Sequence, residues 1–260
     1  MKQLVKEEDS NMYFRNFQLV DYKFGDGEDP TLFPNITAYV DIIDQVKQEV
    51  AFYQKYTILD GDRPDVVSQK LYGTPNYHWT FFAMNDGLRE SGWPMPEREL
   101  RELVKKRYPH RVVTTQSNIA SFFLPGVNVL GKTSGTTGRI VERNLDLGQL
   151  VIASNNNEAG LQNNFGATEQ IAAGDTVVDQ AANVATAIAE TQQYNAPLYY
   201  KNSGGTIVDI DPYNQNTSGL VPTTIMEDNI NFNNDLKSIV VIKPSKIASV
   251  ANEYFKLLRE

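Results

Sequence analysis

The sequence predicts an α+β protein made of several modules. Helical spacing of apolar residues dominates both ends of the chain, whereas short strand-like runs separated by turn residues fill its middle. A length of 260 residues exceeds the usual size of about 100–200 residues for one domain. Five segments are expected: an N-terminal arm and helix (1–50), a strand-helix-helix-strand module (51–115), a β-rich insertion (116–180), a loop-rich extended segment (181–238), and a C-terminal strand with an amphipathic helix (239–260).

The N-terminal segment combines an aromatic stretch with a helix. Tyr13, Phe14 and Phe17 lie in a stretch whose aromatic residues lack helical spacing, which predicts an extended arm that needs a surface to lie on. From Ile36 to Val50, apolar residues recur at the spacing of one helix face. An amphipathic helix is therefore predicted directly after the arm.

The second segment begins with a strand and continues with helices. Aromatic and β-branched residues over 52–58 predict a short strand that ends in the turn Asp60-Gly61-Asp62. Asp62 is a suitable N-cap for a helix that Gly73 ends, and a second helix over 75–84 is broken by Asn85-Asp86-Gly87. Apolar residues over 100–108 predict a further helix before Pro109.

The middle and the C-terminus differ in regularity. Gly-, Thr-, Asn- and Val-rich sequence from residue 111 to about 178 predicts several short strands, and 181–193 has the spacing of a helix. Residues 199–234 predict loops around a strand at 206–208, which is typical of an extended binding segment. A strand over 239–242 and an amphipathic helix after Pro244 complete the chain.

Composition argues against several classes of function. The chain has no cysteine, which removes disulfides and thiolate chemistry, and only two histidines, His78 and His110. A net charge of −8 without a basic stripe disfavours nucleic acid as a ligand. No apolar run is long enough to span a bilayer, and the start is charged, unlike a signal peptide. We therefore expect no enzymatic activity, no cofactor, no metal, no nucleic-acid or membrane partner, and a place in the cytoplasm where the chain is made.

Three local patterns leave alternatives open. Residues 126–133 (GVNVLGKT) have the spacing of a phosphate-binding loop, but turn-rich sequence follows where such a loop needs a helix. His78 has the chemistry of a general base, although a structural role is favoured because no nucleophile or ligand cluster accompanies it. The acidic turns at 26–29 and 60–65 contain calcium-ligand types without the spacing of a calcium loop, so solvated turns are favoured.

The segment 56–86 resembles the LysM pattern of a strand, a Gly-Asp turn, a helix that ends in Tyr-Gly, and a second helix that ends in Asn. The matching residues are Tyr56-Thr57-Ile58, Asp60-Gly61-Asp62, Pro64 through Tyr72-Gly73, and Asn85-Asp86. Its surroundings are similar to the LysM-containing baseplate wedge protein of T-even-type contractile-tailed bacteriophages. The residues that carry this second resemblance are Tyr13-Phe14, Phe33-Pro34-Asn35-Ile36, 72–79 (YGTPNYHW) and 232–244 (FNNDLKSIVVIKP). About the first hundred and the last thirty residues match, and the region between them does not.

The resemblance implies a structural subunit of the tail baseplate wedge that has no catalytic residues. Such a subunit binds the wedge-core and sheath-initiator subunits and joins adjacent wedges around the central hub, in the host cytoplasm during assembly and then in the virion. The residues predicted to contact partners are Tyr13, Phe14, Phe17, Tyr77, Trp79, Ile247, Tyr254 and Phe255. The alternative is a peptidoglycan-binding LysM module of a tail-associated lysin, in which Tyr72, Tyr77, Trp79 and Phe81 would stack on sugars. Helical spacing favours a core role for these four rings.

Overall fold

The computed structural model describes residues 17–23, 25, 29–35, 46–153, 165–213 and 217–257, which form an α+β fold. The strands are β1 (Leu19–Tyr22), β2 (Thr31–Pro34), β3 (Tyr53–Thr57), β4 (Arg111–Thr115), β5 (Asn128–Gly131), β6 (Thr137–Asn144), β7 (Gln149–Ala153), β8 (Gln170–Ala173), β9 (Val184–Gln192), β10 (Pro197–Lys201), β11 (Ile207–Val208), β12 (Val221–Thr224) and β13 (Ser238–Ile242). The α-helices are α1 (Pro64–Tyr72), α2 (Trp79–Met84), α3 (Asp86–Ser91), α4 (Glu97–Arg107), α5 (Val177–Ala182), α6 (Ile225–Leu236) and α7 (Ile247–Leu257). Short 3-10 turns occupy Pro75–Tyr77 and Gln193–Asn195.

The chain divides into two compact units. Unit 1 contains both ends of the chain, up to Glu97 and again from Asn233, and unit 2 runs from Arg98 to Phe232. This division differs from the five predicted segments, because the first and last parts of the chain fold together. The predicted N-terminal helix lies largely outside the described residues, which show a helical turn over residues 46–48.

A two-stranded antiparallel sheet forms the centre of unit 1. β3 pairs with β13, and Lys55 lies opposite Val240. The sequence predicted that the module would close with a strand before residue 115, but Arg111–Thr115 lies in a different sheet, in unit 2. The alternation of apolar residues in a strand indicates which face it buries, but not which distant strand it pairs with. The sequence therefore does not predict the pairing of β3 with β13.

The two faces of this sheet support two apolar cores. Ile239 and Val241 point to one face, where they pack with Val67, Phe81 and Leu88 from the three helices that follow β3. Ile242, on the opposite face, packs in a second core with Trp79 and with helix α7. The residues that α7 contributes are Ile247, Val250, Ala251, Tyr254 and Phe255. Strand geometry directs successive side chains to opposite faces, and the predicted strand over 239–242 is confirmed.

Side chains from the helices hold the outer edge of β13. The Asn85 side-chain amide donates to the Val240 carbonyl at 2.8 Å, and its oxygen accepts from the Val240 N–H at 2.8 Å. The same amide donates to the Phe81 carbonyl at 2.8 Å. The Tyr72 hydroxyl donates to the Ile242 carbonyl at 2.9 Å, and burial raises the pKa of this hydroxyl. These bonds supply partners that a further strand would otherwise provide.

Unit 2 is built on a closed antiparallel barrel with the strand order β4-β7-β6-β5-β8-β9. The prediction of a helix over 181–193 is wrong, because Val184–Gln192 forms strand β9 of this barrel, although a short helix, α5, precedes it. Ala185 and Ala187, each 1% exposed, alternate into the barrel interior. Alanine favours a helix over a strand, and closure of the barrel around these small side chains overrides that preference.

A small sheet and a helix follow the barrel along the chain. Strand β10 pairs with β11 and β12, and the predicted strand near 207 is present. The expectation of loops through residue 234 is wrong, since helix α6 occupies Ile225–Leu236. Its start is a capping box: the Thr224 N–H donates to Glu227 at 2.9 Å, and the Glu227 N–H donates to the Thr224 hydroxyl at 3.2 Å. Thr-x-x-Glu is the sequence signal that indicates a helix start here.

Candidate partner-binding surface

Most residues predicted to contact partners are buried within their own chain. Trp79, which is 6% exposed, packs its ring 4.8 Å from the Tyr254 ring and 5.2 Å from the Phe255 ring, measured between centroids. Phe17 and Ile247 belong to the same core of unit 1. The assignment of these five side chains to a partner surface is therefore corrected: they stabilise unit 1. Aromatic and apolar spacing predicts burial without saying whether the covering surface comes from the same chain.

The other three predicted residues have different placements. Tyr77 is half-buried beside Tyr72, with ring centroids 5.8 Å apart in an edge-on arrangement. Tyr13 and Phe14 lie outside the described residues. The part of the arm that the structure describes contributes the hairpin β1–β2 instead of an extended strand alone.

This hairpin exposes apolar side chains on both faces. Val20 lies opposite Phe33 and shares a face with Tyr22, which is 53% exposed, whereas Leu19 (61% exposed) and Leu32 (63% exposed) lie on the other face. An isolated two-stranded hairpin is marginally stable in water, and a group of exposed apolar side chains marks an interaction surface. The hairpin, which sequence reasoning named only as an arm, is therefore a candidate surface for a protein partner.

The loop with phosphate-loop spacing does not have phosphate-loop geometry. Its residues run through β5 and turn into β6, so a strand follows where a phosphate loop has a helix. The Glu169 carboxylate accepts the backbone N–H groups of Thr133 at 2.7 Å, Ser134 at 2.6 Å and Gly166 at 2.6 Å. The amides at the end of this loop, those of Thr133 and Ser134, therefore bind a carboxylate of the chain itself. A Cβ at Gly131 would lie 2.6 Å from this carboxylate, which explains the glycine.

We expect Glu169 to give unit 2 an acid-sensitive stability. Burial raises the pKa of this carboxyl. The backbone N–H groups of Ser134, Gly166 and Thr133 lower it by more, so the pKa lies below its usual value of 4.5. A lowered folded-state pKa gives stability that is fully present above the unfolded-state pKa and is lost as pH falls through the folded-state pKa. The difference in unfolding free energy between the wild type and Glu169→Gln should therefore shrink below about pH 4.5. Urea denaturation at several pH values checks this, and a constant difference would contradict it.

The acidic turn at 60–65 is neutralised by the chain's own cations. Asp60 accepts from Lys237 at 3.1 Å, and this hydrogen bond lowers the pKa of Asp60. Lys70 lies 2.6 Å from Asp62, and Arg63 pairs with Asp65. These pairs favour the interpretation as solvated turns. In the turn at 26–29, only Asp29 belongs to the described residues.

Three features of the described residues bear on chemistry with a metal or a small substrate. In the described ranges, no three His, Asp or Glu side chains gather as a metal site would require. The His78 Nδ1 atom lies 2.9 Å from the Pro75 carbonyl oxygen within a turn, in agreement with a structural role. A cavity in unit 2 has a volume of about 190 Å³, below the roughly 300–1,000 Å³ of typical ligand sites. No helix in the described part of the chain is both long and apolar enough to cross a membrane.

Comparison with known proteins adds no family assignment. No family model matches the chain, and no curated protein matches it. Its function is therefore inferred from its residues and their geometry.

Proposed function

We propose that the chain is a non-enzymatic structural subunit of a contractile phage tail baseplate wedge, built around a LysM-like module. One observation carries this proposal: the two distant stretches that resemble the wedge family fold as parts of one unit. Strand β3 pairs with β13, and Asn85 hydrogen-bonds Val240 across a separation of 155 residues. Because the two stretches form one sheet together, they support the proposal that both belong to a single LysM-like module.

Several contacts in unit 1 correspond to the residues that carry the LysM resemblance. Gly73 ends helix α1 in a left-handed conformation with φ of 75°, which glycine adopts without strain. Asn85 ends helix α2 and bonds the closing strand. The Asp60-Gly61-Asp62 turn is held by the Trp93 indole, which donates to the Asp62 carbonyl at 2.6 Å. In this proposal, the barrel of unit 2 is an insertion between the second helix of the module and its second strand.

The placement of the aromatic rings favours a docking role over peptidoglycan binding. Phe81 is fully buried, and Trp79 packs against helix α7, so neither ring presents a face to a sugar. The Tyr72 hydroxyl is bonded to the Ile242 carbonyl. By contrast, the exposed hairpin β1–β2 offers apolar surface to a protein partner. We propose the wedge-core subunit, the sheath-initiator subunit and the central hub as partners, with the chain joining adjacent wedges.

The test is to find this chain in assembled tails. An affinity-tagged chain is expressed during phage assembly, the tails are purified, and their subunits are quantified by mass spectrometry. We expect the chain at a fixed ratio to the wedge-core subunit, and gold-labelled antibody at the baseplate end. A tagged capsid protein from the same phage serves as the control for carry-over. Saturable binding of the chain to purified cell walls would support the lysin alternative instead, whereas absence of the chain from tails would overturn the baseplate function.

A further inference from the structure

Which opposed residues of β3 and β13 are hydrogen-bonded determines whether each backbone group points between the two strands or to the outer edge. The Ile58 N–H donates to the Lys237 carbonyl at 2.9 Å, and the Lys243 N–H donates to the Phe52 carbonyl at 2.8 Å. Directly opposed residues in an antiparallel pair alternate between bonded and non-bonded positions. Lys55 and Val240 therefore occupy a non-bonded position, which agrees with the bonds that Val240 makes on its other side to Asn85.

The same alternation directs the backbone of β3 away from β13 at every second residue. The N–H and C=O groups of Tyr53, Lys55 and Thr57 point to the outer edge of the strand. Within the described ranges, no hydrogen bond uses these groups. Lys55 and Thr57 are also exposed. Among the described residues, the sheet thus has one edge held by Asn85 and Tyr72 and one edge whose backbone donors and acceptors have no hydrogen-bond partner.

We propose that this outer edge of β3 binds an extended segment of a neighbouring tail protein as a third strand. This inference rests on the proposed baseplate function and adds the site and mode of attachment. An unpaired strand edge is a template for another chain, and strand addition is a recurring mode of peptide recognition. A third strand also brings the two-stranded sheet to the size at which sheets become stable.

The charge at the centre of the edge specifies the kind of partner. Lys55 is the middle residue of β3, so antiparallel pairing of two copies in the register that overlaps the whole strand would place Lys55 opposite Lys55. Like charges directly opposite each other destabilise a strand pair, whereas opposite charges stabilise it. The occupant is therefore a segment of a different subunit with Asp or Glu opposite Lys55, and not a second copy of this chain.

Two substitutions at one position separate backbone pairing from side-chain contact. Lys55→Pro removes an N–H that points outward, and it leaves the hydrogen bonds between β3 and β13 in place. Lys55→Ala removes the same side chain and keeps the N–H. We expect Lys55→Pro to reduce incorporation into tails by at least about tenfold and Lys55→Ala by less than about threefold. Tryptophan fluorescence during urea unfolding verifies that both variants keep unit 1 folded.

Hydrogen–deuterium exchange on the unchanged chain gives a test that needs no substitution. Exchange of the peptide 52–58 is compared between the free chain and purified tails by mass spectrometry. We expect the outward amides of Tyr53, Lys55 and Thr57 to exchange at least about 100-fold more slowly in tails. If the chain is in tails but these amides exchange equally fast, the edge inference is overturned and the baseplate function stands. If the chain is absent from tails, the proposed function fails and the inference fails with it.

Discussion

Replacing Asn85 with alanine is expected to lower the unfolding free energy of unit 1 by about 3 kcal/mol. The side chain makes three hydrogen bonds of 2.8 Å, to both backbone groups of Val240 and to the Phe81 carbonyl. A lost hydrogen bond costs about 1 kcal/mol, and leaving part-buried partners unsatisfied costs more. The strand that Asn85 holds closes the sheet, so the effect extends to both cores of unit 1.

Tryptophan fluorescence during urea denaturation measures this change, because both tryptophans of the chain, Trp79 and Trp93, lie in unit 1. The matched control is Asn76→Ala, which removes an exposed asparagine side chain from the same unit and should change the free energy by less than about 0.5 kcal/mol. Equal effects of the two substitutions would show that Asn85 does not hold the strand.

Replacing Glu169 with alanine should destabilise unit 2 by about 4 kcal/mol. This carboxylate, in a residue only 5% exposed, accepts three backbone N–H groups from two turns of the barrel. Hydrogen bonds to a charged acceptor are stronger than neutral ones, and their loss leaves backbone donors without an acceptor.

Circular dichroism of the barrel strands during denaturation provides the measurement. Glu142→Ala is the matched control, since Glu142 is an exposed carboxylate on barrel strand β6 and its removal should cost less than about 0.5 kcal/mol. A Glu169→Ala variant as stable as this control would mean that the two turns hold their conformation without the carboxylate.

Local pattern predicted the elements of unit 1 more successfully than their arrangement. The strand at 53–57 and the C-terminal amphipathic helix follow from spacing, and the end of helix α1 follows from Gly73. The predicted N-cap Asp62 is wrong, because Arg63 is the last extended residue before helix α1. Pairing of β3 with β13 does not follow from local pattern, because alternation encodes a buried face without naming a partner. The sequence does not predict helix α3, because Asn85-Asp86-Gly87 is a helix-breaking run, whereas in the structure Asn85 is one extended residue between two helices.

For the candidate surface too, the sequence predicts which residues are apolar but not which distant residues cover them. Helical spacing predicted that Trp79, Tyr254 and Phe255 lie on apolar helix faces that need a covering surface. In the structure these rings cover one another, so they are core residues. The outer edge of β3 could not be read from composition, since it depends on which backbone groups β13 already uses. In unit 2, the Thr224-x-x-Glu227 capping box was a visible signal for helix α6, while closure of the barrel was not encoded in any single segment.

The late arrival of β13 sets an order of events during translation. Asn85 leaves the ribosome 155 residues before Val240, which at about 5–20 residues per second is a delay of roughly 8–30 s. The last barrel strand ends at Gln192, 48 residues before Val240, which leaves about 2–10 s for the barrel to close, and β-rich domains fold within milliseconds to seconds. The nascent chain therefore carries a finished barrel while the apolar helices that preceded it still lack their closing strand. Until synthesis reaches that strand, these helices are the part of the newborn polypeptide most exposed to chaperones and to premature association.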